Sequence, residues 1–198
     1  RDGKSFTTRR VTAIQNGEAI FSCSISFQKR EKGLSHQIKM PEIPGPEKLK
    51  SDLELRQDVQ KKIPKDYLPM WLREREIETR QVEPMDLLKV EKLPPYRSTW
   101  MKPVGKLPAD ERIHQALLLY VSDMGLLGAA VNPHEVNFMS KKFQSASLDH
   151  VMWFHGKVNF NNWILHHMHS PISSGARGFS RGSISVSYTH LTLPTTSM

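Results

Sequence analysis

The segment PADERIHQALLLYVSDMG, residues 108–125, decides the fold that this sequence predicts. Asp110 is a favourable residue for capping the start of a helix, and the acid that follows it suits the positive end of the helix dipole. Gly125 and Gly128 indicate where the helix ends. Between these signals, apolar residues recur at helical spacing and form a stripe that ordinarily faces a core: Ile113, Ala116, Leu117, Tyr120, Val121 and Met124.

Strand patterns flank this helix on both sides. Short runs with strand-like patterns predict strands at residues 77–82, 97–101, 145–154, 163–169 and 178–186. One long helix with several antiparallel strands predicts an α+β fold in which the sheet wraps round the helix.

The N-terminal region predicts a separate hairpin. Residues 6–15 are rich in Thr and include Val11, and Asn16-Gly17 readily adopts the positive φ angles of a tight turn. Residues 19–27 then alternate between apolar and polar side chains, which predicts a strand with one dry face and one wet face. Cys23 lies on the dry side, where we expect it to be a small core residue.

The segment that follows the hairpin has a different composition. Residues 29–46 are charged and rich in proline, which is typical of a linker or of a surface excursion. Residues 47–63 have spaced apolar side chains among many charges, which predicts an amphipathic helix that Pro64 stops.

The composition narrows the class of protein. The chain has 198 residues, a net charge of +8 and a mean hydropathy of −0.48, which fit a soluble protein with a buried core. The charged stretches mix both signs and lack interleaved aromatic residues, which disfavours nucleic-acid binding. No apolar run reaches the roughly 20 residues that cross a bilayer.

A single cysteine excludes an internal disulfide and predicts a reducing compartment. The first residues contain no start Met and no signal-peptide core, so we expect the sequence to begin inside a longer protein.

Asp123 and Ser147 are the best candidates for chemistry. Asp123 ends the apolar helical segment, and Ser147 opens the run SLDHVMWFH, residues 147–155. An acid at the C-terminal end of a helix is unfavourable with respect to the dipole, which favours a functional reason for it. We expect a buried junction in which the acid and the hydroxyl hold a water that attacks an ester-like carbonyl without a covalent nucleophile.

Several short motifs together resemble the acyl-CoA thioesterase II family. They are RDGKSF (1–6), VTAIQNG (11–17), SFQ (26–28), YVSD (120–123), SLDH (147–150), MWFH (152–155) and ARGF (176–179). The resemblance covers residue 1 to about residue 182. It implies a double hotdog, in which each antiparallel sheet wraps round one long helix, and it implies hydrolysis of acyl-CoA to a fatty acid and CoA.

The resemblance also assigns the site. It places Asp123 and Ser147 at two of the three positions that hold the attacking water, with acyl-CoA as substrate and with no metal or cofactor. The third position is a Gln in a Gln-Glu-Gly run of a final strand, and the sequence has no such run. The resemblance implies a peroxisomal location for a eukaryotic protein and a cytoplasmic one otherwise. Hotdog sheets commonly pair, so a homo-oligomer through these sheets is one expectation, and the sequence leaves the oligomeric state open.

The resulting domain prediction has four parts. We expect residues 1–45 to be the C-terminal hairpin of an incomplete first hotdog, and residues 46–75 to be a linker with a helix. Residues 76–186 form the second hotdog in this prediction. Residues 187–198 are low in charge and rich in Thr, and we interpret them as a non-native tail.

Four further residues are candidates for binding the substrate. Trp153 and Phe154 fit the lining of an acyl pocket, with ordinary core packing as the alternative. Arg177 and Arg181 fit contacts with the CoA phosphates, with a solvated face as the alternative.

Other chemistries remain as alternatives to hydrolysis. Histidines at 155, 166, 167 and 169 raise the possibility of a zinc site, but the sequence has no Cys pair and no acid within the cluster. Asp149 and His150 resemble the Asp–His pair of an enoyl-CoA hydratase, but neighbours on a strand point to opposite faces, so we expect them to support the site. The absent Gln favours a second alternative, a non-catalytic remnant that binds acyl-CoA or a protein partner.

Overall fold

A computed structural model of the chain describes residues 2–85, 89–136 and 143–186, together with the backbone of residues 189–197. The strands are β1 (Phe6–Gln15), β2 (Glu18–Gln28), β3 (Ile77–Gln81), β4 (Tyr96–Pro103), β5 (His150–Met152), β6 (Ile164–Ser174), β7 (Arg177–Val186) and β8 (Thr189–Ser197). The α-helices are α1 (Asp52–Val59), α2 (Leu68–Trp71), α3 (Glu111–Ser122) and α4 (Leu126–Val131). The chain divides into two units, Arg1–His36 and Gln37–Met198.

The first unit is the predicted hairpin. β1 and β2 pair in antiparallel fashion, and Asn16 and Gly17 have φ angles of 51° and 83° in the turn between them. The prediction of a dry face is wrong, because Phe21 and Phe27 are 57% and 54% exposed. The reason is that the described part of this unit contains one two-stranded sheet and no second layer to cover it. Cys23 is half-buried.

The second unit is built on a six-stranded antiparallel sheet with the order β3-β4-β6-β7-β8-β5. The strands predicted at residues 77–82, 97–101, 163–169 and 178–186 all form. The strand predicted at residues 145–154 is much shorter, since only His150–Met152 pairs with a neighbour.

Residues 189–197, which belong to the segment interpreted as a non-native tail, form the strand β8. This strand lies between β7 and β5 and pairs with both. Ser187, Tyr188 and Met198, which also belong to that segment, lie outside the described residues.

The predicted long helix begins where the sequence indicates. The Asp110 carboxylate accepts a hydrogen bond from the backbone N–H of Arg112, and Gly125 ends the helix region with a φ of 92°. Gly128 was expected to mark the same end, but it lies inside α4, which starts directly after Gly125. Taken as one stretch, Glu111–Val131 has the length and the mean hydropathy (1.2) of a membrane-spanning helix. In this structure it is two helices that pack on the sheet.

The buried face of α3 differs from the predicted stripe. His114, Leu118, Val121 and Ser122 are buried, whereas Ile113 and Tyr120 are 41% and 65% exposed. Residues 116–121 are apolar without interruption, so their hydrophobicity alone does not fix which face turns inward. Leu118 and Val121 join one core cluster, completed by Ile77, Met101, Val158, Phe160, Ile164, Ile184 and Val186.

The segment that precedes β3 covers the other face of the sheet at β3 and β4. The Trp100 indole donates a hydrogen bond to the Pro44 carbonyl, and the Arg80 guanidinium donates to the carbonyls of Pro46 and Leu49. The helix in this segment is shorter than predicted. It begins at Asp52 because Ser51 and Glu54 form a capping box, and α1 ends at Val59.

Helix α4 packs closely against β7, and this contact generates a test. A Cβ atom at Gly178 would lie 2.8 Å from the Ala130 Cβ, which cannot move unless the helix moves. We therefore expect Gly178→Ala to lower the free energy of unfolding by about 1–3 kcal/mol, as overpacking ordinarily does. Urea denaturation measures this change. Gly105→Ala is the control, because a Cβ there meets nothing within 4 Å. Equal stability of the two variants would contradict the packing described.

Candidate active site

Asp123 and Ser147 lie together, as predicted from the sequence. Asp123 directly follows the last residue of α3, and Ser147 lies in the segment that leads into β5. The Ser147 hydroxyl donates to the Asp123 carboxylate, with Oγ at 3.2 Å from Oδ1 and 3.3 Å from Oδ2. The hydroxyl therefore holds the carboxylate from one side.

The expected burial of this pair is wrong. The Asp123 side chain is 50% exposed, and Ser147 is exposed as well. Asp123 lies on the turn after the helix, beyond the residues that pack on the sheet, and Ser147 precedes the three residues of β5 that pair with a neighbour. The carboxylate is thus held on one side and open on another.

His150 is a third polar residue beside the carboxylate. Its Nε2 lies 2.8 Å from the Ser122 Oγ, and its Nδ1 lies 3.9 Å from the Asp123 Oδ1. Ser122 is fully buried, and its hydroxyl donates to the Leu119 carbonyl at 2.7 Å. The acid that His150 approaches is therefore Asp123. Asp149, the acid adjacent to His150 in sequence, is exposed.

Sequence reasoning did not assign Ser122 to the site, and it gave His150 only a supporting role beside Asp149. The signal was present in the sequence, because Ser122 precedes Asp123 and His150 follows Ser147 by three residues. The two residues are 28 positions apart, however, and only the packing of β5 beside α3 brings them together.

His166 lies on the face of β6 that meets the helices. It is fully buried, and neither ring nitrogen has a hydrogen-bond partner within the described residues. Burial, with smaller effects of His150 and His167, lowers the pKa of His166 to about 3. The ring is therefore neutral near physiological pH.

The histidines at 166, 167 and 169 differ in orientation and in hydrogen-bond partners. His167 points to the face of β6 opposite His166, where its Nδ1 lies 3.0 Å from the Ser98 Oγ. His169 accepts a hydrogen bond from Arg181. Over residues 2–85, 89–136 and 143–186, no group of three His, Cys, Asp or Glu side chains is placed to hold a metal ion.

Comparison with known proteins identifies the family. A family model described as "Acyl-CoA thioesterase" matches residues 71–190. The chain belongs to the acyl-CoA thioesterase family. It is 35% identical over 184 residues to "Acyl-CoA thioesterase 2" of Haemophilus influenzae, and the match covers 93% of this chain and 64% of that relative. The chain thus spans less than two thirds of the relative's length.

Solved structures agree with the family and confirm the hotdog fold. The acyl-CoA thioesterase II TesB2 from Mycobacterium marinum matches with a TM-score of 0.77 and 34% identity, over 100% of this chain and 68% of that chain. A hot dog fold protein from Alicyclobacillus acidocaldarius matches with a TM-score of 0.63 over 100% of this chain and 67% of that chain. Its 17% identity shows a likeness of fold alone.

The four candidate substrate-binding residues of this family member lie in two places. Trp153 and Phe154 follow β5 directly and are 47% and 38% exposed. Arg177 and Arg181 are exposed on β7, and the Arg181 Nε donates to His169 Nε2 at 2.7 Å. The Ser180 hydroxyl bonds the Leu126 carbonyl of α4, so the two arginines lie on the other face of β7.

The buried neutral His166 predicts a pH dependence of stability. Its folded pKa of about 3 lies below the ordinary value of 6.5, so the unfolded chain binds a proton that the folded chain does not. Its contribution to stability is complete above pH 6.5 and is lost as the pH falls toward 3. At pH 5 this difference in pKa between the folded and unfolded chain lowers the free energy of unfolding by about 2 kcal/mol.

We therefore expect His166→Leu to reduce the loss of stability between pH 8 and pH 5. Urea denaturation at both values measures the difference for each variant. His155→Leu is the matched control, because it makes the same replacement at an exposed histidine. A His166→Leu protein that loses as much stability as the unmodified protein would refute this assignment.

Proposed function

We propose that the protein hydrolyses acyl-CoA thioesters to a free fatty acid and CoA, with a water activated by Asp123 and positioned by Ser147. The observation that carries this proposal is the Ser147–Asp123 hydrogen bond in a chain of the acyl-CoA thioesterase family. The half-exposed carboxylate is accessible both to a water and to a substrate.

The chemistry follows from the positions of the two side chains. The water oxygen attacks the thioester carbonyl carbon and forms a C–O bond while one water proton passes to the Asp123 carboxylate. The tetrahedral intermediate then collapses, the C–S bond breaks, and the leaving sulfur takes the proton from Asp123. The products are the fatty acid and the CoA thiol, and the carboxylate is restored.

Ser147 has a positioning role in this scheme. Its single hydroxyl hydrogen is directed between the two Asp123 oxygens, which fixes the plane of the carboxylate. It therefore positions the water through the carboxylate that accepts the water proton. Loss of Ser147 therefore leaves the base in place but less well oriented.

The substrate contacts proposed here divide by chemistry. Trp153 and Phe154 offer exposed aromatic surface close in sequence to His150, and we assign them to the acyl chain. Arg177 and Arg181 are exposed cations that we assign to the CoA phosphates. The peroxisomal or cytoplasmic location and the pairing of hotdog sheets between copies stay predictions.

One observation favours hydration of an enoyl-CoA as a second candidate. An Asp–His pair does occur, although between Asp123 and His150 at 3.9 Å and not between Asp149 and His150. Loss of enoyl-CoA absorbance without release of a thiol would identify this activity. Binding of acyl-CoA in a calorimeter with neither reaction would instead support the non-catalytic alternative.

Replacement of Asp123 tests the hydrolase directly. We expect Asp123→Asn to lower kcat by about 10²–10⁴-fold, because the amide no longer accepts the water proton. Ser147→Ala is expected to lower kcat by about fivefold to tenfold, the equivalent of one neutral hydrogen bond. A thiol-reactive dye measures CoA release from a medium-chain acyl-CoA.

Asp149→Asn is the matched control for this experiment. Asp149 is an exposed acid close to the site in sequence, and its replacement removes the same charge without removing the base. Hydrolysis that survives Asp123→Asn, or that Asp149→Asn reduces equally, would rule out the mechanism. An unmodified protein that releases no CoA would rule out the function.

A further inference from the structure

We infer that His150 is a further water-binding residue of this site, whose Nδ1 accepts a hydrogen bond from the attacking water while Asp123 takes its proton. The inference rests on the proposed function and deepens it. Three observations carry it: the direction of the Ser122 hydroxyl, the distance between His150 and Asp123, and the lack of a hydrogen-bond partner for the His150 Nδ1 among the described residues.

The Ser122 hydroxyl fixes the tautomer of His150. A serine hydroxyl has one hydrogen, and that of Ser122 is donated to the Leu119 carbonyl at 2.7 Å. Toward His150, at 2.8 Å, the Ser122 Oγ is therefore an acceptor, and the His150 Nε2 carries the hydrogen. A neutral imidazole with its hydrogen on Nε2 has a bare lone pair on Nδ1.

The bare Nδ1 faces the carboxylate. It lies 3.9 Å from the Asp123 Oδ1, which is too long for a direct hydrogen bond. Two acceptors at this separation are bridged by one water that donates a hydrogen to each. Within the described residues, Nδ1 is a buried atom with no hydrogen-bond partner, and such atoms are ordinarily satisfied by water or a ligand.

The other acceptor available to the water is Ser147. Its hydroxyl hydrogen is already directed at Asp123, so Ser147 orients the base. An imidazole nitrogen is more basic than a hydroxyl oxygen and is therefore the stronger acceptor for the second hydrogen of the water. Asp123 and His150 then hold the water from two sides, with its lone pairs directed at the carbonyl carbon.

The first test is spectroscopic and does not require activity. We would record two-bond ¹H–¹⁵N correlations of the histidine rings of the full chain at pH 8, with His150 assigned by loss of its signals in His150→Gln. The expected result is a proton on Nε2 and none on Nδ1. Ser122→Ala removes the acceptor that selects this tautomer and is expected to give a mixture. A proton on Nδ1 in the unmodified protein, either alone or together with one on Nε2, would overturn the inference.

The second test separates the role of Nδ1 from that of Nε2. His150→Asn keeps a carbonyl acceptor near the position of Nδ1 and loses the contact with Ser122. His150→Gln keeps an N–H near the position of Nε2 and loses the acceptor. We expect His150→Gln to lower kcat by about 10–100-fold with KM nearly unchanged, and His150→Asn to retain more of the kcat.

The opposite order of the two variants, or a rise in KM at unchanged kcat, would show that His150 only anchors β5 to α3 and would overturn the inference. Circular dichroism of both variants confirms that they fold. If the unmodified protein releases no CoA, the proposed function fails, and the ring spectra still decide whether Nδ1 of His150 is an acceptor.

Discussion

The rotation of α3 about its own axis is the constraint on which the site depends. His114 fixes it, because its Nδ1 accepts a hydrogen bond from the Phe160 backbone N–H at 3.1 Å and its Nε2 bonds the Pro108 carbonyl at 2.9 Å. Leu118 and Ser122 lie one and two turns further along the same face and are therefore buried. Asp123, one residue beyond Ser122, is rotated out to the rim of the helix, where Ser147 meets it.

The sheet supports this arrangement because it is packed on both sides at β3 and β4. The helices cover one face of the sheet, and the segment before β3 packs on the other face at these two strands through Arg80 and Trp100. In the same segment Arg56 is buried and bonds Asp52 as well as the carbonyls of Trp71 and Arg73. The segment expected to be a linker is thus part of the packed structure.

Among the described residues, the polar groups at the end of α3 include a buried atom without a hydrogen-bond partner, which is typical of functional sites. A buried nitrogen without a partner is unfavourable by about 1–3 kcal/mol, so a fold selected only for stability would replace it or pair it. Among the side chains that the structure describes, His150 leaves such a nitrogen beside a half-exposed carboxylate. The hydrolysis proposed above would use this combination, since its nucleophile is held by acceptors and still reaches the carbonyl.

The sequence by itself determined the α+β class, the hairpin turn at Asn16-Gly17, the start of the helix at Asp110 and the pairing of Asp123 with Ser147. These features follow from local periodicity and turn chemistry, or from motifs that the members of a family share. Only the tertiary structure decided which face of α3 is buried, because residues 116–121 are apolar on every side. It also decided that His150 meets Ser122 from 28 residues away, since such a contact depends on strand placement and leaves no periodic signal in the chain.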